Sequence, residues 1–289
     1  MFKTVLVPQT GVETDRQSLE AAHGLMCETG GHLECLYVHD DAAAIAACIQ
    51  TDAMGVPIVT PSLLTALDDE AKTQKLAAKQ TFETFCKKQG VLPASSGPHD
   101  LSAAWRAVSA GVVTTLTVEG YYHDATVLTR QPDLAALSVT DLGAIVISSG
   151  RPFVLIPEGW QPHPLANVAV AWKETPEAAR AVAAALPVLK QAKTVTVLTV
   201  AEKNDARDAR KAARACARYL KSHGIEAEGR EVAADGEGAE ASLFFAAAEH
   251  NADLVVMGAY GHSRLREFVL GGFTREVLLD AQIPVLLMH

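Results

Sequence analysis

Residues 252–289 read A-D-L-V-V-M-G-A-Y-G-H-S-R-L-R-E-F-V-L-G-G-F-T-R-E-V-L-L-D-A-Q-I-P-V-L-L-M-H. The apolar run Leu254–Met257 ends in Gly258; Gly261 follows after two residues and Gly271 after nine more. Gly272, Phe273 and Thr274 then open a helical pattern, and Pro284–Met288 is a second apolar run. The order is strand, glycine-punctuated loop, helix N-terminus, strand. Glycines let backbone N–H groups approach an anion with no Cβ in the way. A helix N-terminus adds unpaired donors and the positive end of its dipole. The local physics predicts a phosphate site.

Upstream, the chain repeats itself. Thr4-Val-Leu-Val-Pro followed by a helical pattern over Arg16–Cys27 is answered by Asn167-Val-Ala-Val-Ala-Trp followed by Glu177–Leu189. Asp124-Ala-Thr-Val-Leu-Thr and Pro152-Phe-Val-Leu-Ile-Pro mirror Ala252-Asp-Leu-Val-Val-Met-Gly and Pro284-Val-Leu-Leu-Met. A tandem duplication accounts for both matches. Its seam is P-E-G-W-Q-P-H-P over Pro157–Pro164, which interrupts helix and strand alike.

Short apolar strands alternating with helical patterns imply parallel sheets covered on both faces. Right-handed crossovers make them doubly wound. The fold class expected is therefore α/β, two tandem doubly wound domains over 1–157 and 166–289. Strands are predicted near 4–7, 32–39, 101–108, 125–129 and 153–156, then 167–172, 194–200, 226–232, 253–257 and 284–288. Helices are predicted near 63–89, 176–190, 205–223, 238–250 and 272–280. Asp40–Pro61 reads as an irregular insert. Strands 153–156 and 284–288 would be vulnerable as bare edges, so they are predicted to meet within one chain as a pseudo-dimer.

The spacing Gly258-x2-Gly261-x9-Gly271 between two strands resembles the nucleotide-binding loop of the universal stress protein family. The resemblance implies a five-stranded parallel sheet in each domain, of the adenine-nucleotide alpha hydrolase-like kind. It implies ATP or AMP at the second domain's topological switch point. The matching positions are Gly258, Gly261, Gly271, Gly272, Phe273 and Thr274 about the phosphates. Ala171, Trp172 and Lys173 stand at the first strand's end, and Val200 at the second's, where the family contacts the base. His262 and Arg264, with Arg266, lie inside the loop: the first could touch phosphate or simply solvate, the arginines could pair with phosphate oxygens.

The chain departs from the family pattern in places. The usual Ser or Thr after the third glycine is Gly272 here. The usual Asp near the first strand's end is replaced by Lys173 in the second domain and Gln9 in the first. The first domain has no Gly-x2-Gly after Thr129. Its Ser138-Val-Thr-Asp141 reads as a helix cap, so its nucleotide loop is degenerate. Trp105, Tyr121 and Tyr122 read as core or as contacts to another ligand. The functions implied are a stress-response sensor binding adenine nucleotide, a slow ATP hydrolase, or a scaffold for an unknown protein partner. Whether Mg²⁺ accompanies the nucleotide is left open.

Composition narrows the classes further. The chain has 289 residues and a net charge of −9. Residues 1–165 hold 10 Lys+Arg against 18 Asp+Glu, a net of −8; the remainder holds 15 against 16, a net of −1. Nucleic-acid binding through a general positive field is not expected. Arg207, Arg210, Arg214 and Arg218 share a helical stripe and read as a solvated face. The five scattered cysteines include no C-x-x-C and read as buried thiols in a reducing compartment. No signal-peptide pattern or membrane-length apolar run appears, so a cytoplasmic location and no membrane partner are expected. No Ser-His-Asp order, carboxylate pair or Walker lysine marks a catalytic nucleophile.

Overall fold

The computed structural model describes residues 2–26, 29–40, 61–93, 100–131, 137–201, 205–234, 238–259 and 272–289. In chain order the first half contains β1 (Thr4–Gln9), α1 (Asp15–Met26), β2 (Gly31–His39), α2 (Pro61–Gln89), β3 (Leu92–Pro93), β4 (Leu101–Ser109), α3 (Val112–Gly120), β5 (Ala125–Thr129), α4 (Val139–Ser148) and β6 (Phe153–Ile156). The second contains β7 (Asn167–Ala171), α5 (Pro176–Leu189), β8 (Thr194–Ala201), α6 (Ala206–Ser222), β9 (Glu228–Ala233), α7 (Ala239–Glu249), β10 (Leu254–Gly258), α8 (Gly272–Asp280) and β11 (Val285–Met288).

All the strands join one sheet in the order β3-β4-β2-β1-β5-β6-β11-β10-β7-β8-β9. Pairing is parallel within each half. The halves meet where β6 runs antiparallel to β11, with Val285 opposite Leu155 and Leu287 opposite Phe153. The expected intrachain meeting of the closing strands is thus present, and it merges two doubly wound sheets into one. The central strands are buried on both faces, as their continuous apolar runs demand. One face carries α1, α2, α5 and α6, through Leu19, Phe85, Val182 and Leu220 among others. The other carries α3, α4, α7 and α8, through Leu116, Ile145, Leu243 and Val277.

The duplication extends to hydrogen bonds. Asp124 Oδ2 accepts from the backbone N–H of Lys3 and Thr4, at 2.6 and 3.1 Å. Asp253 Oδ2 accepts from Ala166 and Asn167, at 2.9 and 2.7 Å. Each carboxylate ties the start of its domain's first strand to the start of its fourth long one. Helices α2 and α6 end alike too. Gly90 and Gly224 take φ of +66° and +78°. The next residues, Val91 and Ile225, donate back to Cys86 O and Leu220 O at 3.0 and 3.1 Å. That is the glycine-terminated helix end whose apolar following residue turns into the core.

Two elements escaped the sequence reading, the two-residue β3 and helix α3. The expected insert lies, apart from its end residues, outside the described residues. Trp105 packs against Phe82 with ring centroids 5.7 Å apart, as a core residue would. Tyr121 and Tyr122 do not: they are 48% and 75% exposed at the end of α3. Cys35 and Cys216 are buried free thiols and Cys86 is half-buried; burial pushes Cys216 up to about 12. Among the described residues no helix is long and apolar enough to cross a membrane.

Candidate functional site

In the second half the chain leaves β7 for β8 on one side and later returns to β10 on the other. The crevice lies beyond the C-terminal ends of β7 and β10, where crossovers diverge. Ala171 ends β7, paired in register with Met257 and Leu198. Trp172 follows, its N–H donating to Leu198 O at 2.8 Å. Lys173 O then accepts from Thr175 N at 2.7 Å, turning the chain into α5. Trp172 is half-buried against the core, and Thr199 stands beside it on β8, 8% exposed. The Trp172 indole Nε1 and the Thr199 hydroxyl are buried with no hydrogen-bond partner among the described residues. Val200 is half-buried, in register with Val232.

Gly258 ends β10 for a reason the sequence did not disclose. A Cβ there would lie 2.5 Å from Ala178 N and 2.7 Å from Glu177 C. The missing side chain lets β10 touch the first turn of α5. At the equivalent place in the first half stands Thr129, whose N–H and hydroxyl meet the Ser18 hydroxyl of α1 at 2.8 and 2.9 Å. One junction is closed by backbone contact, the other by a buried pair of hydroxyls.

The helix N-termini facing the crevices differ in charge. Helix α5 begins at Pro176 with Thr175 as cap, accepting from Ala178 N at 3.3 Å. Glu177 sits in this first turn, bonded to Arg180 at 2.9 Å. Burial alone would raise its pKa, but bonds from its own N–H and the Thr175 hydroxyl, and the charge of Arg180, hold it below the usual carboxylate range. Arg180 also donates to His289 O at 2.9 Å. The positive end of α5 is therefore already matched by a carboxylate. Helix α8 has no acid in its first turn, Gly272–Arg275. Thr274 in that turn is 4% exposed. Gly261, His262, Arg264, Arg266 and Gly271 lie outside the described residues.

In the first half both corresponding helices carry carboxylates. Asp141 of α4, the positional counterpart of α8, closes a capping box, its Oδ2 accepting from Ser138 N and Oγ at 2.9 and 2.7 Å. Asp15 of α1 is 1% exposed and accepts from Thr10 N–H and hydroxyl, both at 2.9 Å, and from Gly11 N at 2.7 Å. Burial raises its pKa to about 6 against the pull of those bonds. Helix α2 also covers this crevice. The Tyr37 hydroxyl donates to Ala71 O at 2.9 Å. Gly11, with φ +86°, lies so close to α2 that a Cβ would be 2.7 Å from Gln74 Cα. Gln9, at the position of the family's usual acid, is 2% exposed. The sequence reading named Gln9 and the Asp141 cap but missed Asp15; an acid followed by Arg-Gln-Ser before an apolar stripe was its only signal.

The sequence model of the universal stress protein family matches residues 165–289. This part of the chain is a universal stress protein domain. The whole chain has the same fold as a universal stress protein from Archaeoglobus fulgidus DSM 4304, at 16% identity and a TM-score of 0.67, covering 99% of this chain and 95% of that one. A universal stress protein described as putative, from Pseudomonas aeruginosa UCBPP-PA14, aligns over 99% of this chain and 93% of its own, at 16% identity and a TM-score of 0.58. A universal stress protein from Synechocystis sp. is 56% identical over 39 residues, 13% of this chain and 14% of that protein's length. The matched residues 165–289 include α8, whose first turn has no acid; residues 1–164 hold the crevice covered by α2.

Proposed function

We propose that this chain is a stress-related regulator that binds an adenine nucleotide, ATP or AMP, in its C-terminal half. The phosphates lie against the N-terminus of α8 and the base reaches toward Val200. The observation that carries this reading is the charge at the four helix N-termini that face the two crevices. Glu177, Asp15 and Asp141 occupy three of them, and the first turn of α8 has no acid. An anion gains most where backbone donors meet no competing carboxylate. Among the described residues the Trp172 indole and Thr199 hydroxyl have no partner and fit a ligand with a polar edge, although Gln9 Oε1 at the matching place in the first half has none either. The nucleotide acts by favouring one conformation over another, with the first half as a closed structural partner.

Calorimetric titration with ATP and with AMP tests the reading, with native mass spectrometry of freshly purified protein to reveal retained nucleotide. Saturable binding at one site per chain supports it; no heat and no retained nucleotide would count against it. A second reading, a scaffold that binds no nucleotide, is favoured by Lys173 where the family carries an acid and by burial of Thr274. Under that reading the same titrations are flat and a protein partner is recovered instead.

A further inference from the structure

The two outer edges of the sheet are unlike. One is β3, two residues long among the described residues and containing Pro93, which has no N–H to donate. The other is β9, six residues long, with β8 on one side and no strand on the other among the described residues. It is held firmly from one face. Gly229 lets α6 lie directly on the strand, since a Cβ there would be 2.6 Å from Ala213 C. The opposite face is incompletely covered. Between β9 and α7 lies a cleft of about 390 Å³ lined by Leu198, Val232, Ser242, Phe245, Ala246 and His250, among others. Phe245 is 65% exposed at its wall.

Charge narrows what could occupy this edge. Arg207, Arg210, Arg214 and Arg218 are all exposed along α6. Arg210 is bonded to Glu231 of β9, and Arg214 lies within electrostatic reach of the same carboxylate, so the stripe runs beside the strand. On the cleft side Arg230 is bonded to Glu228 at 2.9 Å, and His250 is near that carboxylate. Over α6 and β9, residues 206–233, seven Lys and Arg stand against four Asp and Glu, a net of +3 in a chain of net charge −9. Charged side chains on an edge strand suppress indiscriminate pairing. They leave room for a segment whose charge complements them.

We infer that the free edge of β9 docks an extended, acidic segment of a partner protein. The segment adds as a further strand by main-chain hydrogen bonds, sets its acidic residues against the α6 arginines and buries one apolar side chain against Phe245. Strand addition of this kind takes its affinity from the backbone and its specificity from alternate side chains. The inference is independent of the nucleotide site on the other side of β8.

Fluorescence anisotropy with labelled peptides on the full chain tests it. The probe is a peptide of about ten residues alternating Val with Asp or Glu, with one central Phe. Three controls accompany it: a copy with alternate amides N-methylated, a copy with Lys for each acid, and the unlabelled acidic peptide as competitor. The acidic peptide should bind saturably, and N-methylation, Arg214→Glu or Phe245→Ala should each weaken binding by about tenfold. Arg214 and Phe245 are exposed, so both variants should fold, with unchanged thermal unfolding as the check. No saturable binding overturns the inference, as does equal binding of the Lys peptide. Indifference to N-methylation would reduce the effect to surface charge and also overturn it. Self-association of the protein that the peptide disrupts would make a second copy the occupant instead.

Discussion

The two crevices of this chain have matching strands around them and differ in the carboxylates at the N-termini of the helices that face them. In the first half, α2 is 29 residues long; its counterpart α6 is 17. With Gly90 matched to Gly224, 11 of the 12 extra residues (29 − 17) lie at the N-terminal end of α2, an added length of about 16 Å. The N-terminal part of α2 passes the ends of β1 and β2: Ala71, in the extension, meets Tyr37, and Gln74, just beyond it, meets Gly11. Asp15 beneath it, and Asp141 at the start of α4 on the other face of the sheet, each accept from nearby backbone N–H groups. In the second half α6 is shorter, and among the described residues the first turn of α8 has no acid. The two halves share one scaffold, and a longer helix and two carboxylates mark the first crevice.

The largest expected effect tests the junction that differs between halves. Gly258→Val places a branched side chain against the Glu177–Ala178 backbone. It should cost about 3 kcal/mol in denaturant unfolding, because backbone on both sides cannot yield. Thr129→Val at the equivalent place removes only the hydroxyl contact with Ser18 and should cost about 1 kcal/mol. Equal costs would show that the two junctions are not built differently.

Asp15 supplies a pH test confined to the first half. Its folded pKa, about 6, lies above the ordinary value of 3.8. The native state therefore binds more protons than the unfolded chain between about pH 4 and pH 6, and this group's contribution falls as pH rises through that window. Glu34 and Glu177, held low, act in the opposite sense at acid pH, so a difference measurement is needed. The stability advantage of the protein over Asp15→Asn should shrink by about 2–3 kcal/mol from pH 4 to pH 7. A constant difference would mean that Asp15 titrates normally.

Placing an acid in the first turn of α8 should make the second crevice resemble the first. Gly272→Asp should weaken ATP affinity by about tenfold, equivalent to ~1.4 kcal/mol, measured by calorimetric titration. The smallest effect goes the other way. Gly272→Ser supplies a hydroxyl donor and should tighten binding by no more than about 1 kcal/mol. If neither substitution changes affinity, phosphate does not lie at α8.

Much of this architecture was readable before any coordinates. The doubly buried strands announce themselves as apolar runs, and their observed limits fall within two residues of those predicted. Helix α3 was not readable: V-V-T-T-L-T-V is rich in β-branched residues, which disfavour helix, and only packing through Leu116 decides the matter. The site was legible as a spacing of glycines but not as a division of labour among them. Gly258 reads like a loop residue, yet its neighbour is a helix 80 positions earlier in the chain (258 − 178). Asp15 was invisible for a similar reason, since an acid at a helix start reads as a solvated cap until α2 is laid over it. Closure of the first crevice depends on contacts between α2 and the β1–α1 turn, and no local pattern encodes those.

Hydrogen exchange with and without saturating ATP measures the contrast between the crevices directly. The account predicts added amide protection at Ala171–Lys173 and across Gly258–Thr274, with no change over Asp124–Ser148 or at the Gln9–Asp15 turn. Protection confined to Asp124–Ser148 would contradict it, because the ligand would then occupy the half that α2, Asp15 and Asp141 are argued to close.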